Sequence, residues 1–302
     1  MKKILITLAL IAFVFAINSC DKQSEPNSIE IDLSNTDFRG NLTPDIISES
    51  QGGIVRIGFM QSAMQFTLDV NTEEGKQSLK AIEHAKKSME PVAVYVFPKT
   101  AEIAGIKPAS SEAVKSFRKS LQGIVKTKES LPIIPSMAAL NTLFAELKAL
   151  PIPWDYKADG CYARAHKMRQ HILTKGWDCG KLFLHGSLAA NASTCCVTWN
   201  YHVAPLVRVQ NGSSVQLMVL DPSLFNGPVS QATWEAACKG GSCGSGTYGT
   251  PTLYAGNVYY VNAAGTYGTY DPTYSKTNCT IAEYTGRTGC NGFIYPAPTC
   301  PI

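Results

Sequence analysis

No apolar run after residue 20 is long enough to cross a bilayer, so the body of this 302-residue chain contains no readable membrane span. No charge sign dominates either. The 27 Lys and Arg against 23 Asp and Glu leave +4, too few and too scattered for the basic face that nucleic acid requires, and that class of partner is set aside. Cysteine is missing from the whole stretch between Cys20 and Cys161, after which nine occur from Cys161 onward. The charge pattern changes in the same region, with 15 acidic and 14 basic residues over 21–130 but 8 and 11 over 131–302. With 45% apolar and 17% charged residues the chain can bury ordinary cores, and its length suits two modest domains.

Residues 1–20 have a basic start at Lys2 and Lys3, an apolar stretch Ile4 to Ile17, and a small-residue end Asn18-Ser19-Cys20. This is the pattern of an export signal, with Cys20 placed as an acylation site, and predicts a secreted or extracytoplasmic protein. The acid-biased stretch from Asp21 to about Ser50 reads as a flexible leader. Beyond it, 54–59 and 91–97 read as strands and 73–89 and 110–125 as helices. The second helix has Ser110 or Ser111 as cap and Ala113, Val114, Phe117 and Leu121 at helical spacing. Lys126 to Ser130 is charged and aperiodic, a linker and a cleavage site. The remainder predicts an α+β fold: helices over 137–150 and 161–175, then strands, then a glycine-rich edge over 240–256 pinned by disulfides.

An oxidising compartment pairs cysteines, and without Cys20 nine remain, so one is left over. If that one is Cys161, the other eight make four bridges. Cys195 and Cys196 each reach elsewhere, and Cys238 to Cys243 could close locally. Zinc is the rival use of these cysteines, but no pair has two-residue ligand spacing, and neither metal nor cofactor is expected. Asp159-Gly160 before Cys161 predicts a helix start with Asp159 as its cap. There the dipole favours a thiolate, and free backbone N–H groups can hold an oxyanion. A buried structural thiol is the competing reading, less natural here than at mid-helix.

His166 and His171 point away along the same helix and read as surface residues; His185 has no visible orienting partner. His202 differs. Thr198 to Val209 and Val215 to Leu220 flank Asn211-Gly212, a two-residue hairpin signal, and opposed positions summing to 423 would put His202 across from Asp221. That pairing would fix the imidazole tautomer. Pro205 requires an edge or a bulge in that strand, and a bulge would shift the register. In a regular strand Trp199 and Tyr201 face away from His202, into the core. Asp155, Asp178 and Asp271 have no comparable tie to a histidine.

Asp159 to Gln170, Thr194-Cys195-Cys196-Val197, Tyr201-His202-Val203-Ala204, Leu220 to Phe225 and Ala255 to Tyr260 together resemble the bacterial protein glutaminases, over nearly all of 131–302. The resemblance implies a transglutaminase-like or papain-like cysteine hydrolase core with a small α/β pro-domain. It also implies hydrolysis of glutamine side-chain amides in proteins and peptides through a thioester, with Cys161 as nucleophile, His202 as base and Asp221 as orienting acid. The expected plan is a signal over 1–20, an inhibitory pro-region over 21–130 and a mature enzyme over 131–302. The expected partners are protein or peptide substrates with exposed glutamine, the enzyme's own pro-region and a processing protease, with the enzyme itself a monomer. The chain departs from the family pattern in having no cysteines in Ala149 to Trp154, just before the nucleophile. A protease or a transglutaminase would use the same three residues, and a disulfide-rich binding module is the non-enzymatic alternative.

Overall fold

The computed structural model describes residues 32–124, 131–192, 195–244 and 247–300. The first half runs β1 (Asp37–Leu42), β2 (Pro44–Ile47), β3 (Ile54–Phe59), β4 (Ser62–Asp69), α1 (Glu73–Ser88), β5 (Val92–Val96), β6 (Ile103–Pro108), α2 (Ser111–Ser120) and β7 (Gln122–Gly123). The second half begins with β8 (Ile133–Ile134), α3 (Met137–Lys148), α4 (Cys161–Thr174), β9 (Gly180–Asn191), β10 (Cys196–Asn211), β11 (Ser214–Val219) and β12 (Val229–Ser230). It ends with α5 (Gln231–Lys239), β13 (Thr252–Tyr254), β14 (Val258–Val261), β15 (Tyr267–Tyr270) and α6 (Ser275–Tyr284). Among the described residues no helix is long and apolar enough to cross a membrane. The proposed export signal and the 126–130 linker lie outside the described residues.

Local chemistry explains the elements that form where the sequence predicts them. Thr72 caps α1 by accepting from the Gly75 N–H, with Glu73 and Glu74 in the first turn and Lys86 and Lys87 in the last, matching the helix dipole at both ends. Ser110 caps α2 in the same way, but the helix stops at Ser120, because the chain leaves as β7 to pair with β15. In the second half β10, 16 residues long, pairs with β9 on one side and β11 on the other. Leu140, Leu143 and Leu147 of α3 and Ala165, Met168 and Ile172 of α4 share one buried core with Val203, Leu206 and Val207 of β10. That shared core holds the start of α4 close to the middle of β10.

Two expectations are corrected here. Residues 37–47 are not flexible: β1 pairs with β5 and β2 with β3. Their polar side chains find distant partners, Arg39 donating to the Tyr295 and Gly292 carbonyls and Gln61 exchanging hydrogen bonds with Thr43, and such burial leaves no local pattern. Among the described residues the cysteines form three bridges rather than four: Cys195–Cys290, Cys196–Cys243 and Cys279–Cys300. Cys161, Cys179 and Cys238 are free and buried. Cys238 therefore does not close on Cys243, which instead ties the glycine-rich edge to β10; Cys238 packs in the main core.

The halves are joined by backbone pairing at two places, Met64 of β4 with Trp199 of β10 and β7 with β15. Met60, Ala63 and Phe117 from the first half also enter the core of the second.

Candidate active site

Cys161 is the first residue of α4 and is 2% exposed. The residue before it, Gly160, is the N-cap at φ +82° and offers no side-chain cap, so the first-turn N–H groups have no capping side-chain partner. Asp159 is thus not the cap that the sequence suggested. Its buried carboxylate accepts from the Gly160 N–H (2.7 Å), the Ala63 N–H (2.9 Å), the Ser62 hydroxyl (3.0 Å) and the Tyr284 hydroxyl (3.1 Å). Burial raises its pKa, against the pull of those donors.

Gly160 needs both its left-handed backbone and its missing side chain, since a Cβ there would lie 2.7 Å from Tyr284 Cδ2. Gly160→Ala is expected to cost about 2 kcal/mol or more and to lower Tm by on the order of 5 °C. Calorimetry showing an unchanged Tm would contradict this account of the turn.

His202 lies on β10 and meets Asp221 as expected, Nε2 to Oδ2 at 2.8 Å, but by a different register. The ladder pairs Asn211 with Ser214 and Leu206 with Val219, a sum of 425, because Gly212, at φ +58°, takes the first turn position and leaves Asn211 in the strand. The shift is two residues. Side chains alternate with period two, so an even slip keeps Asp221 on the face of His202, displaced along it by one same-face position. Pro205 ends the ladder: its carbonyl accepts from the Leu220 N–H at 2.9 Å, but it has no N–H to return the bond. The chain then turns at Asp221, and the carboxylate reaches back diagonally.

Four donors converge on Asp221: His202, the Trp234 indole N–H at 3.0 Å, the Ser223 backbone N–H at 3.2 Å and the Ser223 hydroxyl. Burial alone would raise its pKa, but His202, Ser223 and Trp234 outweigh burial and hold it at about 2. The imidazole is clamped between aromatic rings, stacked on Trp199 at 4.4 Å between centroids, with Trp234 at 5.6 Å. Trp199 therefore shares the face of His202. A bulge between Trp199 and Tyr201 breaks the alternation that had turned it away. His202 Nδ1 is buried without a hydrogen-bond partner, and it is the nitrogen that Asp221 leaves free.

The thiol of Cys161 is pushed up to about 12 by burial; Arg164 opposes that rise, Asp159 adds to it, and a hydrogen bond from the Val203 backbone opposes it. The other histidines stay apart from this group. His166 is not on the surface but 1% exposed, with Nδ1 against the buried Lys181 amine at 2.7 Å and Nε2 against the Asp271 carbonyl. His171 pairs with Glu146 at 2.8 Å, and His185 meets the Val261 carbonyl at 3.2 Å. Asp178 is held by Arg169, and Asp271 by Thr277. Trp234, Ser223 and Lys157, whose amine donates to the Ser223 carbonyl at 2.8 Å, support Asp221. Of these three only Ser223 lies in a stretch the sequence singled out, the Leu220 to Phe225 block.

A crystal structure of pro-protein-glutaminase matches with TM-score 0.80 and 36% identity, over 89% of this chain and 100% of that one. This chain belongs to the protein-glutaminase family. A family model described as Glutaminase matches residues 140–238, which contain Cys161, His202 and Asp221. A mutant pro-protein-glutaminase matches at TM-score 0.79 and 35% identity, covering 87% of this chain and 98% of that one. The protein-glutaminase from Chryseobacterium proteolyticum, solved by NMR, matches at TM-score 0.52 and 40% identity over 56% of this chain and 98% of that one. No curated protein matches at the sequence level. Met60 and Ala63 belong to the same buried core as Cys161, and Ser62 and Ala63 donate to Asp159, two residues before it.

Proposed function

We propose that Cys161, His202 and Asp221 hydrolyse the side-chain amide of glutamine in proteins and peptides, giving glutamate and ammonia, and that the chain is made as a zymogen. The observation that carries the assignment of roles is the buried His202 imidazole, tied to Asp221 through Nε2 and unpartnered at Nδ1. His202 Nδ1 takes the thiol proton, and the sulfur attacks the glutamine Cδ. The first-turn N–H groups of α4 receive the oxyanion, and the imidazolium returns its proton to the departing ammonia, leaving a thioester. The same imidazole then deprotonates water, which cleaves the thioester to glutamate and free thiol. A helix-start cysteine followed by histidine and aspartate at neighbouring strand positions is the arrangement of transglutaminase-like and papain-like cores.

Residues 1–20 are the export signal, 21–130 the inhibitory pro-region and 131–302 the mature enzyme, released by a protease and acting as a monomer. The residues of 21–130 that share the core of Cys161 support this division, as does the smaller share of this chain, 56% against 89%, that a protein-glutaminase covers relative to the pro form. The test is ammonia release from a glutamine-containing protein before and after limited proteolysis near 126–135. Clipping is expected to raise the rate at least about 100-fold, without cleaving or cross-linking the substrate. Full activity of the intact chain would remove the zymogen assignment; new backbone termini in place of ammonia would convert the enzyme to a protease, and lysine cross-links accompanying the ammonia would convert it to a transglutaminase.

A further inference from the structure

Arg164 sits one helical turn after Cys161 on α4 and is 2% exposed. An arginine so deeply buried normally has a carboxylate partner. Arg164 has none among the described residues: its Nη1 donates to two neutral carbonyls, Tyr156 at 2.9 Å and Asp159 at 2.8 Å, and its Nη2 is buried with no partner. The two carbonyls lie in the loop that leads into the nucleophile. The guanidinium therefore holds that loop and leaves a permanent, uncompensated positive charge beside the helix start, on the same face as Cys161 by its three-residue spacing.

We propose that Arg164 is a positioning residue that keeps the Cys161 sulfur ionised in the processed enzyme, by fixing the 156–160 loop and holding its charge one turn away. The proposal rests on Cys161 being the nucleophile. Other charged or titratable groups also act on the sulfur, Asp159 before α4, Tyr201 on β10 and Lys181 on β9, and the proposed mechanism adds His202 on β10. Asp221 after β11, Cys238 on α5 and Tyr260 on β14 act on it as well. Among these influences burial raises the thiol most, Arg164 is the strongest in the opposite direction, and Asp159 and Asp221 favour the neutral form. Lysine at position 181 is a poor substitute for Arg164, because burial brings its amine down to about 7.

The two opposing influences belong to different parts of the chain. Met60 and Ala63, which share the buried core that contains Cys161, come from the 21–130 segment, whereas the side-chain hydrogen bonds of Arg164 are made within 131–302. Removing that segment strips Met60 and Ala63 from this core and leaves the charge in place. It also gives water access to Asp159, which loses Ser62 and Ala63 as donors. Activation thus uncovers the thiol and ionises it in a single step.

The test uses processed enzyme and the pH dependence of iodoacetamide alkylation, with Cys161 identified as the labelled site by mass spectrometry. Arg164→Gln keeps an amide donor for the loop but no charge, while Arg164→Lys keeps the charge without the planar fork. The Gln variant is expected to raise the alkylation midpoint by at least about one pH unit, slowing labelling roughly tenfold on the acid side. At high pH its rate should equal or exceed wild type, since the more basic thiolate is the better nucleophile. The acid limb of kcat/KM should move with it, and the Lys variant should stay within about half a unit of wild type. If Gln and Lys variants share one midpoint, Arg164 is structural and the proposal is wrong. Should Arg164→Gln fail to fold, Arg164→Met takes its place in the same comparison. If alkylation of Cys161 leaves ammonia release intact, the nucleophile assignment fails instead, whatever the midpoints are.

Discussion

Processed enzyme carrying Cys161→Ala should release ammonia four to six orders of magnitude more slowly than wild type, as is found when the nucleophile of a concerted triad is removed. The size of the effect follows from the absence of a substitute. Cys179 and Cys238 are also free and buried, but neither sits at a helix start beside a histidine. Cys238 lies at the C-terminal end of α5, where the dipole opposes a thiolate, and Cys179 follows Asp178, whose charge raises its thiol further after burial. Both are packing groups, so Cys179→Ala should retain most activity. The fold should tolerate Cys161→Ala, since the lost sulfur has no disulfide and the helix keeps its Gly160 turn. The measurement is ammonia release under substrate saturation, with Tm as the fold control. Residual activity within about tenfold of wild type, with Tm preserved, would show that the sulfur does not take part in chemistry.

Asp221→Asn is expected to lower kcat by about 10⁴-fold, with a smaller change in KM. The carboxylate is ionised throughout the working pH range, held at about 2, and all four of its hydrogen-bond partners are donors. An asparagine has a single oxygen to offer them and presents an NH₂ at the other position. If that NH₂ faces His202, Nε2 must become the acceptor, the proton moves to Nδ1, the nitrogen that has to take the thiol proton, and the Trp234 indole N–H that shared the same oxygen loses its acceptor. If it faces Ser223 instead, two buried donors lose their acceptor, at about 1–3 kcal/mol each. Both orientations leave a buried donor unpaired and lower Tm, and the pH dependence of kcat marks the tautomer effect. A kcat within tenfold of wild type would show that Asp221 only packs.

The helix starts were legible because their causes are local. Gly160 before Cys161 marks a turn that only glycine makes without strain, and Ser110 announces its helix by capping it. The strands at 37–47 were not legible, since Arg39 and Thr43 are satisfied by residues near 292–295 and at 61. Position in the chain carries no trace of such partners. The clamp around the imidazole was hidden for a related reason: Trp199 reaches His202 only through a bulge, and Trp234 comes from a helix that no motif connects to the site.

Cys161 and its partners show where the division falls. Helix entry and the hairpin signal brought Cys161, His202 and Asp221 forward as candidates, and period-two alternation kept His202 and Asp221 on one face even though the register was off by two; cysteine parity did not single out Cys161, because three thiols are free. Tertiary structure alone decided the state of that group: which cysteines stay free, which rings hold the imidazole, and what covers the sulfur. Those depend on desolvation and on contacts between residues far apart in the chain, such as Ala63 with Asp159, and the energy of a buried group is set by what surrounds it in space.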